Sequence, residues 1–260
     1  EPGDKYAAVF PGYAMYKVYG EILGAEMTAI SYDPDNFMSP EELLAKLPVE
    51  CKVLFLPNPS QPVENYFLSD PLRKIAALCN ERGILLAVDE AYHFFGAASA
   101  IPLTDEFDNV IILRTFSKAF GGGGLRLGYA VGSENSIASL AAFRLGYEAN
   151  AITYHIGKTL LDHFDDYVKE SIQKVCEGRD YFREQCQSKN IKAWGRVSNF
   201  VLLKFESPEQ KEKVIKGLDN RNILVRGGYP IPLACHLMVT CGPVYQMEKV
   251  FKGITDTLSE

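Results

Sequence analysis

KVLFLPNPSQPVENYFLSDPLRKIAALCNERGILLAVDEAYHFFG (52–96) is the stretch that decides the fold. Its two ends, KVLFLP (52–57) and ILLAVDE (84–90), are short apolar runs that read as strands buried on both faces. Between them SDPLRKIAALCNERG (69–83) reads as a helix, with Ser69 as its cap, Pro71 in its first turn and Gly83 at its close. Working outward, similar apolar runs recur at YAAVF (6–10), MTAIS (27–31), NVIILRT (109–115) and LRLGYAVG (125–132), and a helical pattern at AMYKVYGEILG (14–24) ends on Gly24. Strand and helix alternate, which predicts an α/β domain with a mainly parallel sheet between helices.

The pattern changes near residue 151. HIGKTLLDHFDDYVKESIQKVCEGRDYFREQCQSK (155–189) keeps an apolar residue every three or four positions, and reads as one long helix bridging two domains. After it come SNFVLLKF (198–205), an amphipathic helix at SPEQKEKVIKGLDNRN (207–222), ILVRGG (223–228), HLMVTCG (236–242) and a terminal helix. We expect a large domain over 1–165 and a small α+β domain over 166–260.

Thirty-three acidic residues against 27 basic ones, with no basic run that could track a phosphate backbone, argue against a nucleic-acid partner. None of the six cysteines stands in a C-x-x-C pair and the four histidines lack ligand spacing, so we expect reduced thiols and no metal site. No apolar stretch reaches the roughly 18–20 residues needed to span a bilayer, and we expect a cytoplasmic protein. The opening EPGDKYAAVF has no initiator Met and enters a strand within a few residues, from which we expect a chain cut at its front.

Three segments carry the chemistry. In AVDEAYHFFG, Asp89 follows five apolar residues and Tyr92 stands three further on. A carboxylate at the mouth of a buried strand needs a cation or hydrogen-bond donors, although a strand-end Asp capping the next element would explain it nearly as well. TFSKAFGGGGLRLGY (115–129) sets Lys118 and Arg126 around four consecutive glycines, which let a backbone approach a ligand closely. Neither phosphate-loop pattern fits it, because Lys118 precedes the glycines and a strand follows them; a surface turn with two solvated cations stays open for this segment alone. LFLPNPSQPVENYF (54–67) runs from a strand into a proline-stiffened loop bearing Asn58 and Gln61.

In this order and spacing the three segments resemble fold-type I pyridoxal-phosphate aminotransferases, most closely the histidinol-phosphate aminotransferase subgroup. EPGDKYAAVFPGYAMYKVY looks like that family's EPG…PTYxMY segment, NPSQPVE stands in place of its NPNNPTG, and DEAY and TFSKAFGGGGLRLGY match closely. The resemblance implies that Lys118 carries pyridoxal 5′-phosphate as a Schiff base and shuttles the substrate proton. It further implies that Asp89 pairs with the pyridine nitrogen, Tyr92 donates to the phenolic oxygen, and Thr115, Ser117 and Arg126 hold the phosphate, while Tyr13 stacks on the ring. It implies a homodimer acting on a small amino donor and a keto acceptor.

Three departures stand out. Gln61 occupies the place of the family's asparagine at the phenolic oxygen, one methylene longer. HLMVTCG stands where the family has LRITVG, so Met238 replaces an arginine that grips the anionic end of the substrate, and Arg226 alone remains of the usual pair. From this we expect a substrate other than histidinol phosphate. The family's segment before EPG, with its phosphate-binding turn, has no counterpart in the sequence. Two alternatives to transamination stay open: a decarboxylase of the same fold, which shares the motifs around Lys118, and a non-catalytic descendant serving as a structural or regulatory partner.

Overall fold

In the computed structural model, which describes residues 1–144, 146 and 148–260, the chain divides into two compact units, Glu1–Phe164 and Asp165–Glu260. The first unit is built on β1 (Lys5–Val9), α1 (Met15–Ile22), β2 (Glu26–Ile30), α2 (Pro40–Ala45), β3 (Cys51–Pro57), α3 (Ser69–Glu81), β4 (Leu85–Asp89), β5 (Val110–Thr115), β6 (Gly128–Gly132), α4 (Glu134–Ala141) and α5 (Ala151–Asp162). The six strands form one sheet in the order β2-β1-β3-β4-β5-β6; all pairs are parallel except β5 with β6. Tyr6 to Val9 are all buried, as are Leu86, Ala87 and Val88 and Val110, Ile111 and Ile112, so β1, β4 and β5 are covered on both faces, while Leu54 and Leu56 bury one face of β3.

The chain passes from β1 to β2 on one side and then to β3 on the other, which opens a crevice beyond the carboxyl ends of β1 and β3. Pro57 pairs with Asp89 and Asp89 with Leu113, so the ends of β3, β4 and β5 lie at nearly the same level.

Two local expectations are corrected. Ser69 is the first residue of α3 and not its cap: Leu68 holds the cap position, and no side chain closes that end. Gly83, at φ +65, terminates the helix as expected, since the left-handed conformation there is cheap only for glycine. The single long helix over 155–189 is in fact three: α5, then α6 (Phe164–Tyr167), then α7 (Lys169–Ser188). His163 leaves helical geometry and Val168 is a turn residue between α6 and α7, and the new start places Asp165 and Asp166 in the first turn of α6, where a helix N-terminus favours anions. Apolar periodicity runs on through such a break and does not report it.

The second unit continues from α7 through β7 (Lys192–Trp194), β8 (Phe200–Lys204), α8 (Pro208–Asp219), β9 (His236–Thr240) and α9 (Val244–Ser259). Its three strands are antiparallel in the order β7-β8-β9. ILVRGG runs beside β9 through a single bridge, Arg226 to Met238. Phe182, Val201, Leu203, Val214, Leu237 and Ile254 fill the core. Gly178 of α7 is required by packing, because a Cβ there would lie 1.9 Å from the Gly242 carbonyl oxygen.

Candidate functional site

Asp89 ends β4 and is half-buried. Its Oδ1 accepts the Ala91 N–H at 3.0 Å, and its Oδ2 accepts the hydroxyl of Tyr16. Burial raises the carboxyl above the ordinary range; the Tyr16 hydroxyl, the Ala91 N–H and the charge of Lys118 oppose that rise, and the Glu90 charge adds to it.

Tyr16 is a site residue that the sequence reading does not single out. Its ring stacks on Phe55 of β3 at 5.0 Å and meets the exposed ring of Tyr13 edge-on at 5.5 Å. Burial and the neighbouring Asp89 carboxylate push its hydroxyl far above the usual phenol range, so it donates and stays neutral. The one available signal was its position, three residues past Tyr13 in the first turn of α1.

Lys118 is exposed, and its Nζ lies 5.3 Å from the centroid of the buried Tyr92 ring. The lysine sits in the connection from β5 to β6, which opens with the Ser117 N–H donating to Thr115 Oγ1 at 3.0 Å. The connection closes with the Phe116 N–H donating to the Leu127 carbonyl at 3.0 Å. Within the glycine run the four positions differ. Gly121 has φ +63, a Cβ on Gly122 would meet Leu125 Cδ1 at 2.9 Å and the Phe116 carbonyl at 3.0 Å, one on Gly123 would make ordinary contact with the Ser117 carbonyl oxygen at 3.8 Å, and one on Gly124 would meet nothing. Arg126 is exposed in left-handed geometry, with Nη1 donating to the Gly123 carbonyl at 2.9 Å.

The loop after β3 is tied down by Asn58, fully buried, whose Nδ2 donates to the Phe67 carbonyl at 3.1 Å and whose Oδ1 accepts the Phe67 N–H at 2.7 Å. This holds Gln61, which is half-buried, near the turn after β1: a Cβ on Gly12 would lie 3.6 Å from the Gln61 carbonyl oxygen. Next to Asp89, the carboxylate of Glu90 is wholly buried and accepts from Arg114 Nε at 2.9 Å and Nη2 at 2.8 Å.

In the first unit contacts join Tyr13, Tyr16 and Asp89, and Lys118, whose charge acts on Asp89, stands over the Tyr92 ring; Thr115, Ser117 and Arg126 lie on the same connection as Lys118, and Gln61 on the loop after β3. Arg226 lies in the second unit, exposed, and exchanges backbone hydrogen bonds with Met238 at 3.2 and 3.0 Å. Met238 is buried, and its sulfur accepts the Tyr229 hydroxyl at 3.7 Å. Among the described residues, no cluster of three His, Cys, Asp or Glu could hold a metal ion, all six cysteines are free, and no helix is long and apolar enough to cross a membrane.

The family model for aminotransferase class I and II matches residues 1–254. The chain belongs to this family. Among aminotransferase relatives, it is 35% identical over 231 residues to the histidinol-phosphate aminotransferase of Thermoanaerobacter sp. (strain X514), covering 86% of this chain and 62% of that protein. It is 31% identical over 262 residues to the protein of the same name from Methanosarcina mazei, covering 100% of this chain and 69% of the relative. The chain therefore spans less than two thirds of the length of the first of these aminotransferases. In fold it matches the histidinol-phosphate aminotransferase of Sinorhizobium meliloti, solved with pyridoxal-5′-phosphate, at a TM-score of 0.89 and 22% identity, covering 100% of this chain and 71% of that one.

Proposed function

We propose that the protein exchanges an amino group between an amine donor and a keto acceptor, using pyridoxal 5′-phosphate at the carboxyl ends of the parallel strands. The observation that carries this reading is a desolvated carboxylate, Asp89, at the end of β4, with an accessible amine, Lys118, after the neighbouring strand β5 and close enough for its charge to act on that carboxylate, in a chain whose relatives are named aminotransferases.

The residues present suit that cofactor. Asp89 is held by two neutral donors and its charge is opposed by burial, so a cationic ring nitrogen would relieve it. The exposed ring of Tyr13 offers an aromatic face, and the connection bearing Ser117 and Lys118 has open space at Gly124. Thr115, Ser117 and Arg126 would hold the phosphate, while Tyr92 and Gln61 would serve the phenolic oxygen. When bound, the cofactor supplies an electron sink for the pair left by breaking the substrate Cα–H bond. Lys118 Nζ, which stands over the Tyr92 ring, would take the proton from that α-carbon. Asp89 would hold the ring's N–H, and Tyr13 would orient the ring by its face. We further propose a cytoplasmic homodimer; the exposed Tyr19, Ile22 and Leu23 at the end of α1 support association.

The substrate reading turns on Met238. Arg226 would grip an anionic group of the substrate, and a buried Met238 in place of a second cation favours an amine other than histidinol phosphate. The names of the relatives lend that part no support. The experiment is a panel of amines, histidinol phosphate included, with keto acids and added pyridoxal phosphate, followed for the new amino acid and for carbon dioxide. Amino transfer without carbon dioxide is expected. Carbon dioxide release would replace transamination with decarboxylation, and efficient use of histidinol phosphate would remove the substrate reading alone.

A further inference from the structure

We infer that Tyr16 is a positioning residue for Asp89: its hydroxyl, donating to Oδ2 while the Ala91 N–H donates to Oδ1, fixes the orientation of the carboxylate and stabilises its anionic form. A carboxylate has about four acceptor sites, so these two bonds leave capacity for a further donor while restricting rotation.

The donor itself is anchored at its ring and at its backbone. The ring is stacked on Phe55 with an interplanar angle of 18°. The Tyr6 hydroxyl donates to the Tyr16 carbonyl at 2.9 Å, pinning its backbone to β1. Gly20, one turn on, admits that same hydroxyl, since a Cβ there would lie 2.0 Å from it. Tyr16 is therefore held by β1 and β3 and reaches across to the end of β4. A tyrosine serving only to fill space would need its ring and not its hydroxyl, whereas here the hydroxyl meets the half-buried carboxylate of Asp89. The other groups facing this pair are Glu90, whose charge is matched by Arg114, together with Lys118, Tyr13 and Tyr92.

The role of Asp89 towards a cofactor rests on the function proposed above, but the test begins without cofactor. Carbon-13 NMR of aspartate carboxyls in the cofactor-free chain gives the titration midpoint of Asp89, assigned by its loss in Asp89→Asn. In Tyr16→Phe, which keeps the ring on Phe55, the midpoint should rise by about one pH unit, a tenfold gain in proton affinity, because a donor to the charged form is gone. With 3-fluorotyrosine at position 16, a stronger donor, it should fall below that of the unsubstituted chain. An unchanged midpoint overturns the inference, and if Tyr16→Phe does not fold, the fluorotyrosine chain decides alone. In a second arm, Tyr16→Phe should weaken pyridoxal phosphate binding about tenfold, with no further loss when added to Asp89→Asn; additive losses overturn the inference. A shifted midpoint in a chain that does not bind pyridoxal phosphate supports the role of Tyr16 and removes the proposed function instead.

Discussion

Arg114 donates to a single oxygen of Glu90, Oε2, from both Nε and Nη2, at 2.9 and 2.8 Å. Ser99 joins the pair: its hydroxyl donates to Glu90 Oε2 at 3.1 Å and accepts from Arg114 Nη2 at 2.8 Å. The pair ties β5 to the residue directly after Asp89. Removing one member of a buried ion pair costs about 3–5 kcal/mol, because the other is left uncompensated. Glu90→Ala should lose stability of that order in urea unfolding of the first unit. A loss below about 1 kcal/mol would show that Arg114 finds water or another partner.

The glycine run should divide under substitution. Gly121→Ala is strained by its positive φ, which costs a non-glycine residue about 1–2 kcal/mol, and Gly122→Ala forces a methyl onto Leu125 and the Phe116 carbonyl. Gly124→Ala meets nothing and should leave thermal stability within about 0.5 kcal/mol of the unsubstituted chain. Equal destabilisation at all positions would contradict this division.

Asp89 should make stability depend on pH in a stated direction. Its folded carboxyl is raised, chiefly by burial, above the unfolded value. Its contribution is then complete below the unfolded value and is lost as pH rises through the folded one, where the proton must leave a desolvated site. Asp89→Asn should flatten that decline and melt higher than the unsubstituted chain near pH 7, while binding pyridoxal phosphate more weakly. A variant that melts lower at pH 7 would show that the carboxylate stabilises the fold.

In the second unit, Gly178→Ala drives a methyl into the Gly242 carbonyl, where the obstacle is backbone and cannot rotate away. We expect a loss of about 1–3 kcal/mol, read from unfolding of that unit. Tolerance would mean that α7 shifts freely against the turn before α9.

The strands of the first unit were legible because each is a short apolar run bounded by breakers, and burial on both faces, as in β1, β4 and β5, demands that pattern. The segments bearing Asp89, Tyr92 and Lys118 were legible because each follows such a strand. Tyr16 was not, since its bond to Asp89 spans 73 positions and the tyrosine reads as one more apolar member of an amphipathic helix. Helix α2 carried an unread signal, the reciprocal capping of Ser39 and Glu42. The breaks at His163 and Val168 were invisible because the apolar spacing continues through them.

We propose Lys118 as the residue to which pyridoxal phosphate attaches. Incubating the chain with pyridoxal phosphate, reducing with borohydride and mapping the labelled peptide by mass spectrometry tests it most directly. A stable pyridoxyl label on Lys118 is expected, as is its disappearance in Lys118→Ala; an equal yield on another lysine, or a label that survives Lys118→Ala, would contradict that attachment.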